Sequence, residues 1–156
     1  MTRVYVDMVG DLFHYGHVEM LRRARALGDE LLVGVVSDDD VETYKRRPVL
    51  SLEERVRVIQ SCKYVDAVWV GCPLRLSAND IRAWHIDMVV HGDDWTEDDL
   101  RKDYGVSMDL GIFRMLASTP SISTSDIIDR LLTRAEELAP TVVNHHRAKS
   151  ATSRTG

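Results

Sequence analysis

The chain contains no run of about 18 apolar residues, so no segment reads as a membrane span. Its first residues, MTRVYVDMV, lack the long apolar stretch and small-residue cleavage site of a secretory leader. A cytoplasmic location is therefore expected. Cysteine is scarce. Cys62 and Cys72 alone make neither a disulfide framework nor a zinc spacing, and they read as two thiols of a reducing compartment. Positive charge is not in excess either. Twenty Lys and Arg face 25 Asp and Glu, a net charge of −5, which argues against nucleic acid as a partner. Neither GxxxxGK[ST] nor GxGxxG occurs, so a nucleotide, if bound, is held another way. No internal repeat is visible.

What is present suits one domain with a real core: 156 residues, 44% hydrophobic and 29% charged, as in ordinary globular chains. Strand-like and helix-like segments alternate. RVYVDM (3–8), ELLVGVV (30–36), AVWVG (67–71), IDMVVHG (86–92) and GIFRML (111–116) read as strands. The 30–36 run is nearly all apolar, as in a strand covered on both faces. Apolar spacing predicts helices over about 16–27, 38–44, 52–62, 78–85 and 123–138. Residues 93–110 are polar and ambiguous. Ser37, Ser51, Ser77 and Ser123 each precede an acid by three residues, the pattern of a helix start. That pattern gives SDDD (37–40) a capping explanation beside a metal-binding one. Strict alternation predicts an α/β fold, a doubly wound, mostly parallel five-stranded Rossmann-like sheet with helices on both faces. One domain is expected over 1–138, with 139–156 as a disordered tail.

Such sheets bind ligands beyond the C-terminal strand ends, at the point where strand order reverses. VGDLFHYGH, SDDD, HGDDW and STPSISTSD all follow predicted strands. His14 and His17, three apart, share one face of a turn, and Gly16 lets a ligand approach the backbone. The helix opening there offers amides and a positive dipole end to an anion. Phosphate binding is one reading. A structural histidine beside an exposed one, or a two-histidine metal site needing a third ligand, are the others. Lys45, Arg46 and Arg47 form a basic loop that could close over a polyphosphate or stand as a solvated patch. Ser121, Ser123, Thr124 and Ser125 at a helix start offer a second phosphate grip, or simply caps.

Taken in order, DLFHYGHVEMLRRARALGD, YKRRPVLSLEERVRVIQSCKYVDAV, MVVHGDDW and SISTSDII resemble the cytidylyltransferases of the HxGH nucleotidyltransferase superfamily, over roughly residues 3–134. KYVDAV, HGDD and GIFR are similar to the ethanolamine-phosphate branch, and GDDW to the glycerol-3-phosphate branch. The resemblance implies transfer of CMP from CTP to a small phosphorylated alcohol or phosphonate, with release of pyrophosphate. The acceptor would be phosphoethanolamine-like, glycerol 3-phosphate-like or hydroxyethylphosphonate-like. It implies that His14 and His17 stabilise the transition state at the α-phosphorus and that Lys45 balances charge on the leaving phosphates. Asp11 would help fix the nucleotide site, with Val9, Gly10 and Gly16 about its entrance. Gly92, Asp94 and Trp95 would line the cytidine or acceptor pocket, and Ser123 and Thr124 would grip the triphosphate. Arg55 would hold the acceptor phosphate or brace the site. Arg114 and Lys63 would stand on the acceptor side, and Lys63 with YVD also resembles the family's dimer-forming stretch, so a homodimer is implied. Mg²⁺ would accompany CTP, ligated mainly by phosphates and water.

The chain departs from the family pattern at two places. Met8, Val9 and Gly10 stand where glycine, a small residue and phenylalanine are usual, which moves bulk around the nucleotide entrance. Ser118 replaces an arginine, removing a strong phosphate ligand, with Arg114 as substitute if it points inward. These departures keep two other readings open: an adenylyltransferase using ATP and a sugar phosphate, and a catalytically silent nucleotide-binding module.

Overall fold

The structure, a computed structural model, describes residues 1–117 and 122–140. Two compact units divide the chain, Met1–Ser121 and Ile122–Gly156. The first holds β1 (Arg3–Met8), α1 (Tyr15–Arg25), β2 (Glu30–Val36), α2 (Asp38–Glu42), α3 (Leu52–Gln60), β3 (Ala67–Cys72), α4 (Ala78–Ala83), β4 (Met88–Gly92), α5 (Glu97–Asp109) and β5 (Phe113–Leu116). The second holds α6 (Thr124–Thr133). Residues 141–156, most of the expected tail, lie outside the described residues, as do Ser118 and Ser121. Among the described residues no helix is long and apolar enough to cross a membrane.

Every strand pairing is parallel, in the order β3-β2-β1-β4-β5. The order runs outward from β1 in both directions, so right-handed crossovers put helices on opposite faces and the reversal falls between β1 and β4. Side-chain alternation along β1 makes the two layers. Val4 and Val6 pack with Leu21 and Ala24 of α1 and Ile59 of α3. Tyr5 packs on the other face with Ile81 of α4 and Leu100 and Tyr104 of α5. β2 is buried from Leu31 to Val36, as its unbroken apolar run predicts for a strand covered on both sides.

Ser37, Ser51 and Ser77 cap α2, α3 and α4, each accepting from the amide three residues on. The ambiguous stretch 93–110 contains α5, capped by Thr96, whose Oγ1 accepts from Asp99 N at 3.2 Å. Its buried face is thin, only Leu100, Tyr104 and Ser107. Thr96 and Asp99 repeat the serine-and-acid spacing of the other helix starts, a signal that was available.

Gly34 in β2 has no room for a side chain. A Cβ there would lie 2.7 Å from Cys72 Sγ and collide with Tyr5 Oη. Both neighbours are fully buried. Gly34→Ala is expected to cost about 1–3 kcal/mol by overpacking, read as a lower urea midpoint at unchanged slope.

Candidate functional site

β1 delivers the chain to the reversal point, and the turn that follows is wound tightly. Gly10 (φ +68) and Leu12 (φ +47) are left-handed. A Cβ on Gly10 would meet Ile59 Cδ1 at 2.6 Å, so glycine also lets the loop press on α3. Leu12 is a non-glycine residue held in this region, a strain of about 1–3 kcal/mol that the surroundings enforce.

Asp11 is that surrounding. It is buried, and Oδ1 accepts from Leu12 N (3.1 Å) and Leu50 N (2.9 Å), while Oδ2 accepts from Val49 N (2.9 Å) and Arg46 Nη1 (3.2 Å). Burial alone would raise its carboxyl. The amides of Leu50 and Val49 and the Arg46 guanidinium outweigh that and hold it below the ordinary carboxylate range. Asp11 thereby ties the turn to residues 46–50, the end of the basic loop.

His14 and His17 cap α1 reciprocally. His14 Nδ1 accepts from Gly16 N at 3.1 Å, and His17 Nδ1 accepts from His14 N at 3.2 Å. This is a capping box in which imidazoles take the places of serine and glutamate. The rings lie 3.9 Å apart between centroids, and Phe13 stacks on His17 at 5.3 Å. A nitrogen that accepts carries no proton, so both neutral rings carry theirs on Nε2. Two N–H donors are thus fixed beside the positive end of a helix, an arrangement made for phosphate oxygens.

Burial first, and His14 next, push the His17 pKa down to about 4 from the usual 6.5. The unfolded chain then takes up this proton at higher pH than the folded one. The stability contributed by the neutral ring is whole above about pH 6.5 and is lost as pH falls toward 4. His17→Asn keeps a cap acceptor and cannot titrate. Between pH 7 and 4.5 the wild-type chain should lose about 2 kcal/mol more than this variant in urea unfolding.

The basic loop follows α2. Arg46 is paired with Asp11, and Arg47 with Glu42 at 3.3 Å and Asp38 at 3.9 Å. Lys45 is exposed, its Nζ 5.7 Å from the Tyr44 ring, and it makes no ion pair among the described residues. Two arginines anchor the loop, and the lysine stands outside these ion pairs.

Arg55 is fully buried. Its Nη1 donates to Val9 O (2.6 Å), Nη2 to Val36 O (2.9 Å) and Asp38 Oδ1 (2.5 Å), and Nε to Leu50 O (3.2 Å). The guanidinium is thus occupied by the loop after β1, the end of β2, the start of α2 and the loop before α3. Asp38 of SDDD is likewise occupied by Arg55. Arg114 lies exposed on edge strand β5, donating to Phe113 O (2.8 Å) and Gly111 O (3.4 Å). Lys63 sits between α3 and β3, at the N-terminal end of the strands, its Nζ 5.0 Å from the Tyr64 ring. The structure therefore does not bring Lys63 to the edge where the histidines lie. Ser123 and Thr124 belong to the second unit. There Ser123 Oγ accepts from Asp126 N at 3.1 Å, and Thr124 opens α6.

Beyond β4, Gly92 O lies 2.8 Å from His91 Nδ1, and Asp94, exposed, sets its Oδ1 3.0 Å from where a Gly92 Cβ would stand. Trp95 folds back to 4.9 Å from the His91 ring. His91 also meets Tyr104 at 5.0 Å, and Tyr104 Oη donates to Asp7 Oδ1 at 2.6 Å. Asp7 and Tyr104 carried no signal in the sequence and His91 only its place in HGDDW, since the three come from β1, β4 and α5 and meet only across the reversal point. Asp7 is partly buried, and burial raises its carboxyl against the hydrogen bond from Tyr104. Beside them Tyr5 Oη is buried next to Cys72 Sγ. One carboxylate on an aromatic wall suits a cationic group.

Residues 10–130 match the model of the Cytidylyltransferase-like family. The chain is 44% identical over 139 residues to an ethanolamine-phosphate cytidylyltransferase of Arabidopsis thaliana, covering 85% of this chain and 33% of that protein. It is 38% identical over 137 residues to choline-phosphate cytidylyltransferase A of Mus musculus, covering 84% and 36%. The crystal structure of a lipopolysaccharide core biosynthesis protein from Thermoplasma volcanium GSS1 superposes with a TM-score of 0.64 at 25% identity, over 78% of this chain and 99% of that one. The chain spans about a third of the length of these curated relatives.

Proposed function

The chain belongs to the Cytidylyltransferase-like family, and from that premise we propose that it transfers CMP from CTP to a small phosphorylated amino alcohol. An oxygen of the acceptor phosphate attacks the α-phosphorus in line. The new P–O bond forms as the bond to the β-phosphate bridge breaks, and pyrophosphate leaves with that electron pair. No protein nucleophile is required, since positioning and charge stabilisation supply the acceleration.

The observation that carries this reading is the mutual capping of His14 and His17, which sets two Nε2–H donors at a helix opening. A neutral donor strengthens as negative charge builds on the transferring phosphoryl group, and it needs no deprotonation step. Lys45 takes the charge that moves onto pyrophosphate. Asp11 and Arg55 act as positioning residues, clamping the turn and the basic loop on the same backbone segment. Asp7, with the His91, Trp95 and Tyr104 wall, receives the acceptor's cationic head, which favours an amino alcohol over glycerol 3-phosphate. Ser123 and Thr124 are proposed to hold the triphosphate from α6.

Mg²⁺ fits as a companion of the nucleotide. The groups at the turn are hydrogen-bond donors and a lysine, which match phosphate oxygens and leave the ion to phosphates and water. Bound there, it would neutralise phosphate charge. A cytoplasmic homodimer is part of the same proposal, with the KYVDAV stretch as the contact.

The test is pyrophosphate release from each of the four nucleoside triphosphates with Mg²⁺ and a panel of phosphate and phosphonate acceptors. CTP-specific release with an amino-alcohol phosphate is expected. ATP-specific release, or binding with no turnover, would overturn it.

A further inference from the structure

The relatives act on two head groups, ethanolamine and choline phosphates by name, and the Asp7 wall alone accepts either, since both carry one positive charge. The difference between them is hydrogen bonding. A primary ammonium has three N–H donors, and a quaternary one has none.

α5 places a second carboxylate beside the wall. Asp103 directly precedes Tyr104, whose hydroxyl holds Asp7. Asp103 is 23% exposed, and its Oδ1 accepts from Arg75 Nε at 3.2 Å. Arg75 comes from the loop between β3 and α4 and is 61% exposed. Asp103 stands three residues after buried Leu100 and four before buried Ser107, which puts it on the flank of the helix face that carries Tyr104. The patch thus holds two carboxylates and one arginine attached through a single, solvated hydrogen bond. A contact of this kind is weak and is readily exchanged.

We propose that Asp103 is the specificity-determining residue of the acceptor site, leaving Arg75 to accept a hydrogen bond from a primary ammonium that Asp7 and the aromatic wall hold from the other side. The site then selects primary amines over quaternary ones, because trimethylation removes each donor that Asp103 can use while leaving the charge. This rests on the acceptor reading above and deepens it.

The experiment titrates the 156-residue chain with 2-aminoethyl phosphate and with its N,N,N-trimethyl counterpart, by calorimetry, and separately measures turnover with CTP. The wild-type chain should bind the primary amine more tightly. Asp103→Asn, a same-size change at a partly exposed position, should weaken that binding about 10- to 100-fold, the worth of a charged hydrogen bond. It should alter the trimethyl compound's affinity by less than about 3-fold, since screened charge alone is lost. Arg75→Gln, which frees the carboxylate, should tighten the primary amine's binding. Equal loss for both amines in Asp103→Asn, no loss for either, or no binding of either by the wild-type chain overturns the proposal. Selective binding without any turnover would instead sink the transferase reading and leave the selectivity standing.

Discussion

His17→Asn is expected to lower kcat about 10²–10³-fold while moving the melting temperature little. The two nitrogens of the ring do separate jobs, and the substitution divides them. Nδ1 accepts from His14 N at 3.2 Å and closes the capping box. An asparagine oxygen reaches the same amide, so the helix start survives. In the proposed reaction Nε2–H donates to the transferring phosphate, and asparagine is too short to replace it. His17→Ala should lose the same turnover and in addition about 1 kcal/mol of cap energy. If the asparagine variant kept full turnover, the donor role would be wrong; if both variants lost stability and activity in step, the effect would be structural. Steady-state kinetics and thermal unfolding on the same preparations separate these cases.

Arg55→Ala should be the most destabilising single change in the first unit. The guanidinium is wholly buried, and its removal leaves Val9 O, Val36 O and Leu50 O without their donor and the Asp38 carboxylate without its 2.5 Å partner. Breaking one side of a buried charge pair costs about 3–5 kcal/mol. Against a total stability of about 5–15 kcal/mol, that is a fall of about 10–15 °C in Tm. Arg55→Lys keeps the charge but cannot span acceptors from three loops, so it should recover only part of the loss. A cost below about 1 kcal/mol would show that the loops after β1 and β2 hold their shape without the brace.

The parts of the molecule that could be read from sequence are those set by local rules. β1 and β2 fall on their expected residues, β1 because β-branched and aromatic residues fill its middle and β2 because a strand buried on both faces is a nearly unbroken apolar run. Serine followed by an acid marked the starts of α2, α3, α4 and α6, because the cap is a contact across one turn. His14 and His17 were visible for the same reason. α5 escaped because its buried face is only three residues wide, and periodicity needs more. Asp11 and Arg55 were legible as important but not as to what they touch. Each reaches two backbone groups 19 to 46 residues away besides its nearer partners, and no local pattern encodes that. Asp7 and Tyr104 were missed outright, and His91 was visible only as part of HGDDW. Apart in sequence, they look like a polar strand residue, a strand-end histidine and a helix tyrosine, and only the β1–β4 pairing makes them one surface.

The central claim is chemical: two uncharged imidazoles, each with its proton on Nε2, donate to the nucleotide's phosphates. Nitrogen-15 NMR of the histidine rings, with and without CTP and Mg²⁺, tests it directly. The account predicts Nε2–H tautomers for His14 and His17 at pH 7, with CTP shifting the Nε2 resonances and leaving Nδ1 as acceptors. Rings protonated on both nitrogens at that pH, protons on Nδ1, or resonances indifferent to CTP would contradict it.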